Sequence, residues 1–151
     1  MTTTNFDALY YDHIQGEIAE PIVKDFDGTP NRVLELDRVC QVEIEWKLES
    51  NAPMSHPVDL IDGTWEVKVS VESIGIGDEK EIASTNVPLS SFDTSSAALR
   101  TWKHTFTIPA NKISQEAVYK LGTLITYRDP GGHRRAMAGF SEGPLLTFYQ
   151  D

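Results

Sequence analysis

Cysteine is almost missing from this chain: Cys40 stands alone among 151 residues, so no internal disulfide can form and burial and hydrogen bonding must hold the fold. At that length a single domain buries enough surface to manage without covalent staples. Basic residues are few as well. Thirteen Lys and Arg against 23 Asp and Glu leave a net charge of −10, the wrong sign for a partner built on phosphate, so nucleic acid is not expected. No run approaches the roughly 18 consecutive apolar residues of a membrane-spanning helix, and no membrane partner is expected. The stretch from Met1 to Asp7 has neither a basic start nor an apolar run, and Asn-x-Ser/Thr does not occur. Those absences lead to the expectation of a cytoplasmic protein, or one exported by a route without a Sec-type signal peptide.

What the chain does have is alternation. In Val42-Glu43-Ile44-Glu45-Trp46-Lys47-Leu48, and again in Trp65-Glu66-Val67-Lys68-Val69-Ser70-Val71-Glu72, apolar and polar residues exchange without a slip. Strands with one dry and one wet face belong to antiparallel sheets covered on a single side. From Arg32 onward the pattern predicts about seven strands, at 32–36, 40–49, 64–74, 81–89, 99–108, 117–127 and 134–149, the last broken near Gly139. The expected fold is all-β, a single antiparallel two-sheet β-sandwich over residues 32–151. Residues 1–31 break the rhythm and are read as an N-terminal arm, with room for a helical turn around Asp7 to Ile14 and a short edge strand at Ile22 to Lys24.

The phases of these strands place Cys40, Val42, Ile44, Trp46 and Leu48 on one inner face, as they do Trp65, Val67, Val69 and Val71, then Trp102, Phe106 and Ile108, then Tyr119, Leu121, Ile125 and Tyr127. Tyr119 opens its strand two residues before Leu121. Here the chain resembles immunoglobulin-like and fibronectin-type-III-like sandwiches: Tyr119 is similar to their tyrosine corner, Trp65 to their buried core tryptophan, and Cys40 lies in an early strand. Leu121 stands where an antibody-type domain has its second cysteine. The resemblance spans about residues 32–149 at the level of architecture, implies a sandwich used for binding or scaffolding, and carries over no catalytic residue.

Candidate chemistry is sparse. Gly139-Phe140-Ser141-Glu142-Gly143 matches the G-x-S-x-G nucleophile elbow, which needs a strand-to-helix turn and a histidine further along the chain. Pro144 to Tyr149 instead continues as a strand and no histidine follows, so the glycines are read as a kink or bulge, and no catalytic residue is expected. Gly75-Ile76-Gly77 has Lys80 in place of the third glycine of a dinucleotide fingerprint and is read as a turn, leaving no cofactor. Asp25 and Asp27 repeat part of the acid pattern of a calcium loop and are the metal candidates, with an Asx-type turn as their alternative role. His13, His56, His104 and His133 lack zinc spacing. His104 shares the phase of Trp102 and Phe106, which puts it in the core or at its rim, and Cys40 is read as a small buried hydrophobe. His133, Arg134 and Arg135, with Arg128 across Asp129 to Gly132, form a charged hairpin tip.

Apolar side chains exceed the needs of one core. Leu145 and Tyr149 share one face of the last strand and Leu146 and Phe148 the other, while Leu124 points away from Leu121 and Ile125. The side chains expected to provide cover, within or between chains, are Phe6, Leu9, Tyr10, Tyr11 and Ile14 of the arm together with Leu146 and Phe148. The expected function is a non-catalytic structural or adaptor protein that joins copies of itself or another subunit in an oligomer, by strand addition or clasping. The alternative is a calcium-assisted or metal-free module for a glycan or small molecule. That reading is disfavoured because Trp46, Trp65 and Trp102 all fall on core phases.

Overall fold

The computed structural model describes residues 3–7 and 13–151. It contains β1 (Thr3–Asp7), β2 (Ile14–Ala19), β3 (Ile22–Lys24), β4 (Val33–Glu35), β5 (Cys40–Ser50), β6 (Thr64–Ser73), β7 (Glu79–Pro88), β8 (Thr94–Ser95), β9 (Leu99–Ile108), β10 (Ala117–Arg128) and β11 (Arg134–Tyr149), with one 3-10 turn at Val58–Leu60. Two sheets form. The first has the order β1-β2-β5-β9-β8 with β3 beside β5, and the second the order β4-β11-β10-β6-β7. This is the all-β sandwich that alternation predicts. Pairing is antiparallel except between β4 and β11, which run parallel with Leu34 against Phe148. No helix among the described residues is long and apolar enough to cross a membrane.

The inner phases meet as expected. Trp46, Trp65, Trp102, Val69 and Leu121 are buried. Trp46 stacks on Trp102 with ring centroids 6.3 Å apart, and Trp65 stands edge-on to Trp102 at 5.2 Å and to Tyr127 at 5.8 Å. The Trp102 indole N–H donates to the Leu89 carbonyl at 3.1 Å. Arg100, on the same inner phase, is buried and donates to the Ile61 carbonyl at 2.6 Å, tying the 3-10 turn to the first sheet. The Tyr119 hydroxyl donates to the carbonyl of Gln115 at 2.7 Å and accepts the Asp78 amide at 3.1 Å. That closes the corner anticipated from the sequence and is consistent with an immunoglobulin-like sandwich at the level of architecture.

The segment read as an arm is part of the sandwich. β2 pairs with β5, Ile18 opposite Trp46, and β1 pairs with β2. Phe6, Ile14 and Ile18 are buried core residues. Their period of two is hidden in the sequence because Gly16 occupies the inward slot between Ile14 and Ile18. The ring of its cross-strand partner Phe6 fills that slot, lying where a Gly16 Cβ would be. Gly139 of β11 leaves room for the same ring from the opposite sheet. Leu9, Tyr10 and Tyr11, the other contact residues expected of the arm, lie outside the described residues, as does most of the span given to a helical turn.

The last strand also differs from expectation. It runs unbroken past Gly139; its register slips once between Arg134 and Ala138, opposite Thr126 to Arg128 of β10, and again at Gly143, where φ is +101°, opposite Lys120 to Gly122. The extra residue reverses the phase: Met137, Gly139 and Ser141 point inward before it, Leu146 and Phe148 after it. Leu146 and Phe148 are therefore core residues, Phe148 edge-on to Tyr119 at 5.8 Å, and are not available to a partner.

Candidate functional site

Ser141 is buried on a continuous strand, where its hydroxyl accepts from Thr4 of β1 at 3.4 Å. The motif that imitates a nucleophile elbow thus joins the two sheets, its first glycine seating Phe6 and its serine meeting Thr4. Asp25 and Asp27 spend their carboxylates on the turn itself: Asp25 accepts the amides of Asp27 and Thr29 at 3.2 and 3.3 Å, and Asp27 accepts that of Thr29 at 2.9 Å. Hydrogen bonds from Thr29 are among the causes that hold Asp27 below the ordinary aspartate range, after the interaction with Asp25. Among the described residues no group of three or more His, Cys, Asp or Glu is placed to hold a metal. Burial pushes the Cys40 thiol up to about 11, which leaves it protonated and inert.

At the hairpin tip the basic residues are matched locally. Arg135 reaches Asp129 at 2.6 Å, and Arg128 and Arg134 both reach Glu66, at 3.2 and 3.0 Å. Burial pushes the Glu66 carboxyl up, but hydrogen bonding to Arg128 and the charges of Arg134 and Lys68 outweigh it and hold the group below its ordinary range. The structure also brings together two histidines that the sequence leaves far apart, with the rings of His13 and His56 5.3 Å from each other. An open cleft of about 570 Å³ lies between Pro21, Ile22, Pro30 and Asn31, bridged by an ion pair from Arg32 to Glu20 at 2.9 Å.

The outer faces of both sheets carry ion pairs, on the second from Lys68 to Glu66 at 3.4 Å and from Lys120 to Glu142 at 3.4 Å, but they differ in their apolar content. On the first sheet the outward residues of β5 are Gln41, Glu43, Glu45, Lys47 and Glu49. They are laced by ion pairs: Glu43 with Lys24 at 3.3 Å and with Lys103 at 3.5 Å, Lys47 with Glu49 at 2.7 Å and with Glu17 at 3.5 Å. On the second sheet Leu124 of β10 lies directly opposite Phe140 of β11, and Lys120 opposite Leu145. Phe140 is 52% exposed, Leu145 51%, Val33 52%, Val118 39% and Leu124 38%. Apolar side chains gathered in this way on one sheet face are not explained by solvation. Sequence reading anticipated uncovered apolar residues at Leu124 and Leu145. It missed Phe140, which it saw only as part of the glycine-flanked motif.

No family model and no curated protein matches the chain in sequence. Its fold is similar to that of solved domains. The C-terminal domain of wzt aligns over 90% of this chain and 74% of that one, at 12% identity and a TM-score of 0.58. Looser matches include the CARDB domain of a Pyrococcus furiosus protein solved with di-metal ions, at 10% identity and a TM-score of 0.46 over 93% of this chain and 98% of that one. Another is part of a β-glucosidase from Listeria innocua in complex with gluconolactone, at 10% identity and a TM-score of 0.48 over 91% of this chain and 16% of that one. At these identities the likeness to the wzt domain speaks for the β-fold alone.

Proposed function

We propose that this chain is a non-catalytic β-sandwich that docks onto protein through the outer face of its second sheet. The observation that carries this reading is the set of exposed apolar side chains Val33, Val118, Leu124, Phe140 and Leu145 on one face, which stand among ion pairs such as Lys120–Glu142, where the outward residues of β5 on the opposite face are all charged or polar. Each Å² of apolar surface removed from water contributes about 25 cal/mol, so a patch of several large side chains favours contact with a matching surface. A protein surface suits it better than a glycan, because the tryptophans that would stack on a sugar are buried. Sedimentation of the full chain tests the reading. Leu124→Asp and Val118→Asp are expected to weaken association about tenfold or more while leaving the melting temperature unchanged. A chain that sediments as a single copy, and whose variants behave identically to it, would overturn the proposal.

A further inference from the structure

We infer that His13 and His56 form a two-imidazole site for a divalent transition-metal ion of the zinc, nickel and copper class. The site is independent of the docking face, because both residues lie at one end of the first sheet. His13 comes immediately before β2, and His56 lies between β5 and the 3-10 turn. Pairing of β2 with β5 sets Ile14 opposite Ser50, so the chain enters one strand where it leaves the other, and the two histidines stand just outside that pair. The backbone then holds each of them. The His13 carbonyl accepts the Asn51 amide at 3.1 Å, the His56 amide donates to the Ala52 carbonyl at 2.9 Å, and the Ser50 hydroxyl accepts the Ala52 amide at 3.3 Å. Two side chains distant in sequence are thus neighbours before any ligand arrives, which reduces the ordering cost of binding.

Attraction between the rings does not account for the pair. Their centroids are 5.3 Å apart and their planes cross at 46°. Aromatic pairs favour offset stacking or an edge-to-face approach, and this tilt is neither. Nδ1 of His56 is sealed from water and has no hydrogen-bond partner, so the ring has a polar atom that the protein leaves unused. His13 adds a second sign. Its φ is +61°, a left-handed conformation that Asn111 alone shares with it among the described non-glycine residues. That conformation is costly, and the ring it projects is exposed and so gains little from burial.

A metal ion fits both the distance and the tilt. An ion about 2.0–2.1 Å from one nitrogen of each of two imidazoles, at a near-tetrahedral angle, sets the ring centroids roughly 5 Å apart. Imidazole suits zinc, nickel and copper, whereas calcium and magnesium take oxygen ligands. Among the described residues no third His, Cys, Asp or Glu joins the pair, so water from the exposed side of His13 completes the coordination. Such an ion exchanges with solvent and is not a condition of folding. The net charge of −10 favours the approach of a cation.

Titration of the full chain with Cu²⁺, the strongest binder of the series, read by electron paramagnetic resonance, tests the site. One ion per chain is expected, with two imidazole nitrogens in its spectrum. Cys40 is buried and does not compete. His13→Asn, which keeps a residue suited to left-handed backbone, and His56→Gln are each expected to weaken binding about a hundredfold and to remove one nitrogen from the spectrum, because the second imidazole no longer binds within the same molecule. His133→Gln, at the exposed histidine of the hairpin tip, should leave both readings as they are. Cu²⁺ should raise the melting temperature of the parent chain and of His133→Gln but not of the other two variants. The nitrogen count of the parent chain decides the matter whether or not a variant folds. A parent chain that takes up no Cu²⁺ when ion and chain are equimolar, or that holds it through a single nitrogen, overturns the site. So does binding that His13→Asn and His56→Gln leave intact, or that His133→Gln abolishes. Sedimentation of Leu124→Asp bears on the docking face alone, so the two readings fail separately.

Discussion

The outer faces of the two sheets stand on equivalent scaffolds, each the wet side of strands that alternate and each laced with ion pairs, yet the second sets Leu124, Phe140 and Leu145 among its charges and the first has no such side chains on β5. Both are compatible with the same core, because alternation constrains only the inward residues. The outward phase is left to whatever the surface must do. A face bound for water takes on charges of both signs. On the reading proposed above, a face that meets another protein keeps, beside such charges, side chains that water does not favour.

That contrast depends on the assignment of inward and outward phases, and the harshest test is at neighbouring positions of β6. Val69→Asp should cost about 3–5 kcal/mol by denaturant titration, since it buries an unpaired charge, whereas Ser70→Asp on the outward side should cost about 0.5 kcal/mol or less. Equal effects at the two positions would invert the faces. Next in size, Phe6→Ala should destabilise by about 3 kcal/mol, because Gly16 and Gly139 leave a space that only this ring fills. A negligible loss would detach β1 from the sandwich.

The smallest effect is a pH dependence at the rim of the first sheet. Burial holds the His104 imidazole below its ordinary value of 6.5, so the unfolded chain takes up the proton first. The contribution to stability is complete above 6.5 and is lost as pH falls through the lowered folded value. The melting temperature should therefore decline slightly between about pH 7 and pH 5, and His104→Gln should flatten that part of the profile. A profile unchanged by the substitution would put His104 on the wet side.

Eight of the eleven described strands, β3 to β7 and β9 to β11, were legible in the sequence to within two residues at their ends. Their alternation is carried by side chains that do their own filling. β1, β2 and β8 of the first sheet were not legible. At Gly16 the inward residue is absent and a ring from the next strand takes its place, so no single-strand pattern exists to be read. The phase of Leu146 and Phe148 was hidden by the bulge at Gly143, beyond which inward and outward exchange. Burial of Tyr119 and Trp65 followed from phase alone, and so did the surplus at Leu124 and Leu145.

The parallel pairing of β4 with β11 also sets an order in time. The contact from Tyr149 to Glu35 spans 114 residues and that from Thr4 to Ser141 spans 137, so the earliest strands cannot finish their packing until the last has been made. Closing loops of that size is slow, and folding should be governed by the arrival of β11 rather than by any local hairpin. During synthesis the flank of β10 and the Phe6 ring that Gly139 accommodates stay uncovered. Translation pauses late in the message would then be the moments at which this chain most needs a chaperone.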